Sequence, residues 1–244
     1  MELIEIEQLE SRLYELGTFA LVDIAEVPPG DHETERDGPQ PTRIDISLRE
    51  AQSRYVEVAA GWGSYELLRG RITYTDNNLF GRALIWSTSG AVSFRTREIS
   101  GSLTDRTIFG PAIRTTVDGS YGYRDGPSYD RTRADAGISA LYSISDRWET
   151  HASYRYSYTI AETVTAGIVG EEDKALTTGR IGTGLGYDSR DSALIPTRGI
   201  RASFDATLAV SVLGSEIDFG GVDLVSALHH PITPGTILSL RAEY

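Results

Sequence analysis

Apolar and polar residues alternate along most of this chain, from residue 53 to residue 244. In the first such run, Val56, Val58 and Trp62 fall on one face, while Glu57 falls on the other. A period of two is typical of a β-strand whose two faces meet different surroundings. Similar runs of roughly 9–14 residues follow one another, which predicts about eleven strands. The turns predicted between them include 76–81, 124–131, 145–147, 161–175 and 231–235.

The first 52 residues have a different pattern. Residues 2–16 carry apolar side chains at spacings of three and four, which predicts an amphipathic helix ended by Gly17. Strands are predicted over 19–27 and 42–50, with a polar, proline-rich loop over 28–41 between them. A helix and two strands form an α+β fragment that is too small to bury a full core by itself. We therefore predict two domains, 1–52 and 53–244.

The length and polarity of the predicted strands favour a membrane protein. They exceed the usual strand length of about 5–6 residues in globular proteins. One face carries Val, Ile, Leu, Tyr and Trp, and the other carries Arg, Asp, Ser, Thr and Gly. Strands that cross a bilayer need this length and this division of faces, and the sheet must close so that no edge meets lipid. The predicted fold is a mostly β, antiparallel transmembrane β-barrel. A soluble β-sandwich is the alternative.

Composition excludes several classes of function. The net charge of -12 argues against nucleic acid as a partner, because phosphate binding needs a basic surface. The chain has no cysteine, which excludes disulfides, thiolate metal sites and cysteine nucleophiles. No apolar run is long enough for a transmembrane helix, and the acidic N-terminus is unlike a signal peptide.

A charged turn between two predicted strands is the most distinctive motif. Residues 186–199 read Gly-Tyr-Asp-Ser-Arg-Asp-Ser-Ala-Leu-Ile-Pro-Thr-Arg-Gly, with alternating flanks on both sides. The residues that define the motif are Tyr187, Asp188, Arg190, Asp191, Pro196, Thr197, Arg198 and Gly199. A second, shorter turn follows the second predicted strand of the sheet and consists of Asn78, Leu79, Phe80 and Gly81.

These motifs resemble the BamA/TamA family of outer-membrane assembly factors, also called the bacterial surface antigen family. The turn over 186–199 is similar to the strand-turn-strand signature of that family, and the turn over 78–81 is similar to its turn after the second barrel strand. Residues 1–52 resemble the C-terminal part of a POTRA domain, a periplasmic polypeptide-transport module. The resemblance implies a barrel of about sixteen strands and places the signature turn between the eighth and ninth. The chain would then hold roughly the first eleven strands and be truncated at both ends.

The resemblance also implies a function without covalent chemistry. Family members insert and fold outer-membrane proteins, including autotransporters, through a lateral seam where an incoming strand pairs with an exposed edge. The candidate seam strand is the first of the sheet and comprises Tyr55, Val56, Glu57, Val58, Ala59, Ala60, Gly61, Trp62 and Gly63. Gly61 and Gly63 would weaken its pairing, although glycine could equally relieve crowding in a curved strand.

Location and partners follow from the same resemblance. The barrel would lie in the outer membrane of a Gram-negative-type bacterium, with the POTRA part in the periplasm. The implied partners are unfolded outer-membrane client proteins and the lipid bilayer, with accessory lipoproteins or an inner-membrane protein in addition.

Two other functions stay open on the residues alone, and a third is not expected. A two-partner-secretion-type transporter shares the POTRA-plus-barrel organisation, and a soluble β-sandwich would be a binding domain. An enzyme is not expected, because no histidine lies at a spacing with serine and aspartate that suggests a catalytic triad. No cofactor or metal is expected, since His229 and His230 would lie on opposite faces of a strand.

Overall fold

The structure, a computed structural model, describes residues 18–27, 43–106, 108–110, 112–126, 129–163, 174–233 and 235–244. The predicted helix over 2–16 and the loop over 28–41 lie outside these residues, as does most of the loop over 161–175. Within the described part, no helix is long and apolar enough to cross a membrane. The chain divides into two compact units, Met1–Tyr55 with Thr75–Trp86, and Val56–Tyr74 with Ser87–Tyr244.

Two antiparallel strands precede the large sheet. They are β1 (Phe19–Val27) and β2 (Arg43–Glu50), and they pair from Phe19 opposite Glu50 to Val27 opposite Arg43. Both confirm the strands predicted at 19–27 and 42–50. The amide of Ala51 donates to the carbonyl of Thr18 at 2.8 Å, which extends this ladder by one hydrogen bond.

Eleven further strands form one antiparallel sheet in which each strand lies beside the next along the chain. Such a meander is what short connections between antiparallel strands produce. The strands are β3 (Arg54–Gly63), β4 (Leu67–Leu79), β5 (Leu84–Ser93), β6 (Thr96–Asp105), β7 (Ile113–Arg124), β8 (Tyr129–Ser145), β9 (Trp148–Thr163), β10 (Lys174–Asp188), β11 (Gly199–Ala209), β12 (Phe219–Thr233) and β13 (Thr236–Glu243). A single 3₁₀ turn, Ser211–Leu213, lies between β11 and β12. The predicted number of strands is confirmed, and one sheet is not a sandwich.

The large apolar side chains lie on the surface of the sheet. Val58 is 73% exposed, Trp62 71% and Ile99 60%. Among the described residues the buried hydrophobic side chains are only Val22 and Ala209. A soluble fold would cover such residues, whereas a barrel in lipid leaves them facing the acyl chains. The predicted antiparallel β-barrel class is therefore confirmed, and the soluble sandwich is wrong.

The opposite face of the sheet is held together by polar contacts between strands. Arg155 on β9 and Asp118 on β7 form an ion pair at 2.8 Å, across the intervening strand β8. Asp118 and Arg155 both lie opposite Gly137 in the register, and the absent side chain of Gly137 leaves room for this pair. Ser157 donates to Asp135 at 2.6 Å on the same face. Apolar and polar faces thus separate as the alternation predicts.

Several predicted boundaries are wrong by a few residues. The turn predicted at 76–81 begins too early, because β4 continues to Leu79. The strand predicted over 82–94 begins only at Leu84, and the strand predicted over 216–229 begins at Phe219 and continues to Thr233. Strand β8 begins at Tyr129, so the connection predicted over 124–131 is shorter than expected. At Leu79, Tyr129 and Thr233, pairing with a neighbouring strand extends the ladder beyond the alternating run.

Pairing across strands accounts for the error at Asp76. Its carboxylate is only 1% exposed and pairs with Arg54 on β3 at 2.8 Å. The amide of Asn77 also donates to the carbonyl of Ser53, at 2.7 Å. Aspartate and asparagine favour turns locally, but here the neighbouring strand keeps them extended.

Candidate functional site

The turn between β10 and β11 is the first part of the candidate site, and its ends continue the strand ladder. The amide of Ser189 donates to the carbonyl of Ile200 at 2.9 Å, and the amide of Asp191 donates to the carbonyl of Arg198 at 3.1 Å. The loop between Asp191 and Arg198 is therefore short, and the hydrogen bond between these two residues closes its base. Since β10 and β11 are the eighth and ninth strands of the sheet, the turn lies where the resemblance predicts it.

Asp191 closes the loop with its carboxylate. One carboxylate oxygen accepts hydrogen bonds from the amides of Thr197 at 2.9 Å and Arg198 at 3.1 Å, and the other accepts one from the hydroxyl of Thr197. These bonds hold the pKa of Asp191 well below its usual range, at about 2, with the Thr197 hydroxyl as the largest cause. Each bond favours the charged form of the carboxyl group. Asp191 therefore stabilises the turn as an anion.

Arg190 and Asp188 form the second contact in the turn. The guanidinium of Arg190 binds the carboxylate of Asp188 through two nitrogens, at 3.0 Å and 2.7 Å. Paired donors of this kind are the strongest form of charge-assisted hydrogen bond. The side chain of Arg190 is 12% exposed, because it folds back onto the strand end. Both residues are engaged within the turn.

Gly199 determines how the chain enters β11. Its φ is 115°, a conformation that a residue with a side chain rarely adopts. A Cβ at this position would lie 2.7 Å from Cα of Arg190 and 2.8 Å from the carbonyl carbon of Ser189. Glycine is therefore required both by the backbone angle and by the closeness of the opposite strand end. Pro196 precedes it in the exposed part of the loop, beside Ile195, which is 76% exposed.

The turn after β4 is built around Asn78. Its carbonyl accepts from the amide of Gly81 at 3.0 Å, and its side-chain oxygen accepts from the amide of Ala83 at 2.9 Å. Phe80 and Gly81 both have positive φ, at 58° and 68°. Asn78 and Leu79 close strand β4, so the predicted four-residue turn is a strand end followed by a turn. Its place after the second strand of the sheet is as predicted.

Strand β3 is the second part of the candidate site. Among the described strands it pairs only with β4, which leaves its other edge without a neighbour. Its residues are exposed except Gly61 and Gly63. A Cβ at Gly61 would meet the side chain of Arg69 at 3.0 Å, whereas nothing lies within 4 Å of a Cβ at Gly63. Gly61 thus makes room for Arg69 on the neighbouring strand, and Gly63 serves no such packing purpose.

Comparison with known proteins identifies this arrangement of strands and turns. Residues 78–244 match the Omp85 superfamily domain, more than half of the chain. The chain belongs to the Omp85 superfamily. This membership confirms the resemblance to the BamA/TamA family and indicates an outer-membrane location. The matched region begins at Asn78 and contains the whole signature turn. No curated protein sequence matches the chain.

Solved structures with the same fold include other Omp85 proteins. One of them is BamA from Haemophilus ducreyi lacking POTRA domains 1–3, with a TM-score of 0.73 and 13% identity. The match covers 98% of this chain and 48% of that BamA chain. CdiB from Escherichia coli has a TM-score of 0.64 and 14% identity, covering 100% of this chain and 48% of CdiB. CdiB from Acinetobacter baumannii has a TM-score of 0.55 and 12% identity, covering 98% of this chain and 46% of CdiB. The chain spans about half the length of these relatives. At identities of 12–14%, this structural similarity shows only that the fold is shared.

Sequence reasoning missed two features of this Omp85 chain. Five arginines distant in sequence line one cavity on the polar face. The loop after β11 folds back over β10, where Gly179 lies against Leu213. Alternation assigned these residues to a face, but it could not show which strands bring them together. The arginines on the polar face of β4, β7 and β8 were the signal for the first feature.

Acid should loosen the signature turn. A carboxyl group with a lowered pKa contributes stability that is complete above its unfolded pKa of about 3.9 and is lost as the pH falls. For Asp191 this loss should run from about pH 4 down through its folded pKa of about 2. Denaturant unfolding in detergent micelles between pH 5 and pH 2 measures it. Wild-type protein should converge with Asp191→Asn as the pH falls, and parallel curves would contradict the assignment.

Proposed function

We propose that this protein is an outer-membrane protein assembly factor that inserts and folds β-barrel or autotransporter proteins through a lateral seam. The incoming strand would pair with the free edge of β3, which is strand augmentation within the membrane. The proposal requires no enzymatic chemistry and no cofactor. The single observation that carries it is the glycine content of β3: this end strand of the sheet contains Gly61 and Gly63, whereas β13 at the other end contains no glycine.

The physical basis is the cost of an open edge in lipid. Each backbone N–H or C=O without a partner in hydrocarbon costs several kcal/mol, so a free edge there binds any extended strand that reaches it. Soluble proteins block such edges with proline or inward charges. Residues 54–63 contain no proline, and Gly61 and Gly63 lower the strand's own pairing stability. In the full barrel this edge would form a weak seam that a client strand can enter.

The N-terminal part fits a periplasmic role. We assign residues 1–52 to the C-terminal part of a POTRA domain and residues 53–244 to the N-terminal part of the barrel. The antiparallel pair β1–β2 supports the first assignment, because it ends directly before the first strand of the sheet. Accessory lipoproteins or an inner-membrane protein would bind on this side, and unfolded clients would arrive from it.

A disulfide-trapping experiment tests the proposal, and residues 1–244 contribute no cysteine of their own to it. Val58→Cys on β3 is combined in the full-length protein with a series of single cysteines in the last strand of a β-barrel client. We expect a ladder of disulfide-linked products in one register, because only cross-strand pairs come close enough for the bond. Val117→Cys is the matched control, since Val117 is also exposed but lies on β7, which is paired on both sides.

The outcome separates the two candidate functions. A two-partner-secretion-type transporter stays the second candidate, because CdiB, at TM-scores of 0.64 and 0.55, shares the fold of this chain as BamA does at 0.73, and a shared fold does not choose between the two functions. Trapping of several different outer-membrane β-barrel proteins at Val58 supports the assembly factor. Trapping of one secreted polypeptide alone favours the transporter, and equal trapping at Val58 and Val117 would overturn the seam.

A further inference from the structure

A cavity on the polar face of the sheet is lined by arginines from several strands. Its volume is about 680 Å³, and its wall is contributed by β3 to β8. Pockets of this size hold small molecules or short peptide segments. The arginines in its wall are Arg69 and Arg71 on β4, Arg124 on β7, and Arg131 and Arg133 on β8. These residues lie far apart in the chain and meet only because the strands pair.

The wall is positively charged within an acidic chain. Three carboxylates also line it, on Glu66, Glu98 and Asp135, which leaves an excess of two positive charges. The chain as a whole carries -12. A local potential of the opposite sign to the net charge attracts anions to this place on the surface. Charge complementarity therefore points to an anionic occupant.

The arginines differ in how far they are already neutralised. Arg133 binds Asp135 through two nitrogens at 2.7 Å and 2.8 Å. Glu66 lies 3.7 Å from both Arg69 and Arg124, which makes two loose ion pairs. Arg71 contacts only the hydroxyl of Ser89, at 3.1 Å. Within the part of the chain that the structure describes, Arg71 and Arg131 have no carboxylate partner. No carboxylate of the described residues neutralises either guanidinium group.

The spacing of these two arginines limits what can bind them. Arg71 is on β4 and Arg131 on β8, so four strand intervals of about 4.8 Å separate them along the sheet, about 19 Å in all. A single small anion contacts both only if both long side chains extend toward it, whereas two separate carboxylates bind them without this requirement. An extended polypeptide advances about 3.3 Å per residue and can place two carboxylates at such a distance. The apolar face that meets lipid is on the opposite side of the sheet, so the cavity does not open toward the acyl chains.

We infer that this arginine-lined cavity binds acidic stretches of an extended polypeptide during their handling by the protein. The inference rests on the proposed function, in that it names a chemical property of the client: clustered aspartate or glutamate. Guanidinium groups suit this task because they bind carboxylates through two donors. Small residues in the wall, among them Ala59, Gly61 and Gly122, leave the groups accessible to a main chain.

Binding of a defined peptide tests the inference. The full-length protein in nanodiscs of zwitterionic lipid is titrated into a fluorescein-labelled peptide of alternating aspartate and serine, and anisotropy is recorded. The variant Arg71→Gln/Arg131→Gln should bind it at least about tenfold more weakly, which corresponds to one lost charge-assisted contact. The matched control is Arg114→Gln on the polar face of β7, outside the cavity wall. Arg71→Lys/Arg131→Lys should bind with an affinity between those of the wild-type protein and the glutamine variant, because the charge remains but the paired donors are lost.

The possible results divide clearly. Loss of peptide binding in the double glutamine variant, with none in Arg114→Gln and none for an asparagine-serine peptide, supports the inference. Equal binding by wild-type and double variant would overturn it, as would binding of inorganic phosphate to these arginines with no binding of the peptide. If disulfide trapping at Val58 succeeds while the peptide fails to bind, the cavity inference falls and the assembly function stands. If the peptide binds through Arg71 and Arg131 but no client strand is trapped, the assembly function falls alone.

Discussion

Replacement of Gly199 by alanine should lower the free energy of unfolding by about 3 kcal/mol, from backbone strain and a steric clash together. The φ of 115° is unfavourable for any residue with a Cβ. The added methyl group would also press against the backbone of Ser189 and Arg190. These atoms belong to the ladder that closes the turn, so they cannot move without breaking the hydrogen bond between Ser189 and Ile200. The turn, and with it the register of β10 against β11, would be disturbed.

Two control variants separate the causes of this loss. Gly235 has a φ of 103° but nothing within 4 Å of a Cβ, so Gly235→Ala measures the cost of the angle alone. Gly221 has no positive φ and open space, so Gly221→Ala measures the effect of a new methyl group. Denaturant unfolding in micelles should rank the losses as Gly199 greater than Gly235 greater than Gly221. If Gly199→Ala unfolds like Gly221→Ala, the turn does not need its glycine.

Replacement of Gly179 by alanine should detach the loop between β11 and β12. A Cβ at Gly179 would overlap the carbonyl group of Leu213, whose carbon would lie only 2.7 Å away. Because the clash is with backbone atoms of Leu213, no side-chain rotation can relieve it, and the loop must move away from β10. It would lose the hydrogen bond from the Tyr154 hydroxyl to the Leu213 carbonyl, at 2.9 Å, and the one from the Glu216 amide to the Thr177 carbonyl, at 3.0 Å. We expect a loss of about 2 kcal/mol from overpacking and broken hydrogen bonds.

Hydrogen exchange by mass spectrometry measures this effect where it arises. Residues 210–218 should exchange much faster in Gly179→Ala than in wild-type protein, while β7 and β8 should be unaffected, because a loop that has lost its contacts opens locally. Gly221→Ala again serves as the control, since it adds the same group to the neighbouring strand β12 without a clash. Unchanged exchange over 210–218 would show that the loop does not depend on this contact.

The signature turn shows what the sequence could predict of the candidate site. Its position between the eighth and ninth strands of the sheet is confirmed, as is the alternation on either side. The roles of its charges could not be predicted. Asp191 binds the backbone of Thr197 and Arg198, and Arg190 binds Asp188, so these groups serve the turn itself. The partners that a charged side chain in a loop can bind depend on the conformation of the loop. The pattern of neighbouring residues does not specify that conformation.

At the turn after β4, by contrast, the sequence led to a wrong prediction of where the turn begins. The sequence Asp-Asn-Asn favours a turn by its local chemistry, and the prediction placed one from Asp76 onward. The structure keeps Asp76 in the strand because Arg54, 22 residues earlier, meets its carboxylate. Contacts over such a separation override local preference.

The chain's own sequence determined its strands, their two unlike faces and its membership of the Omp85 superfamily, because alternation and turn motifs are local properties of the chain. Alternation did not determine which way the apolar face turns, because a sandwich and a barrel share the same pattern; the structure shows that this face is exposed. Only the tertiary structure decided which polar residues meet: Arg155 with Asp118, Arg54 with Asp76, and the arginines of β4, β7 and β8 around one cavity. These contacts depend on the register of one strand against the next. Register arises from the pairing of whole strands, so no single stretch of sequence encodes it.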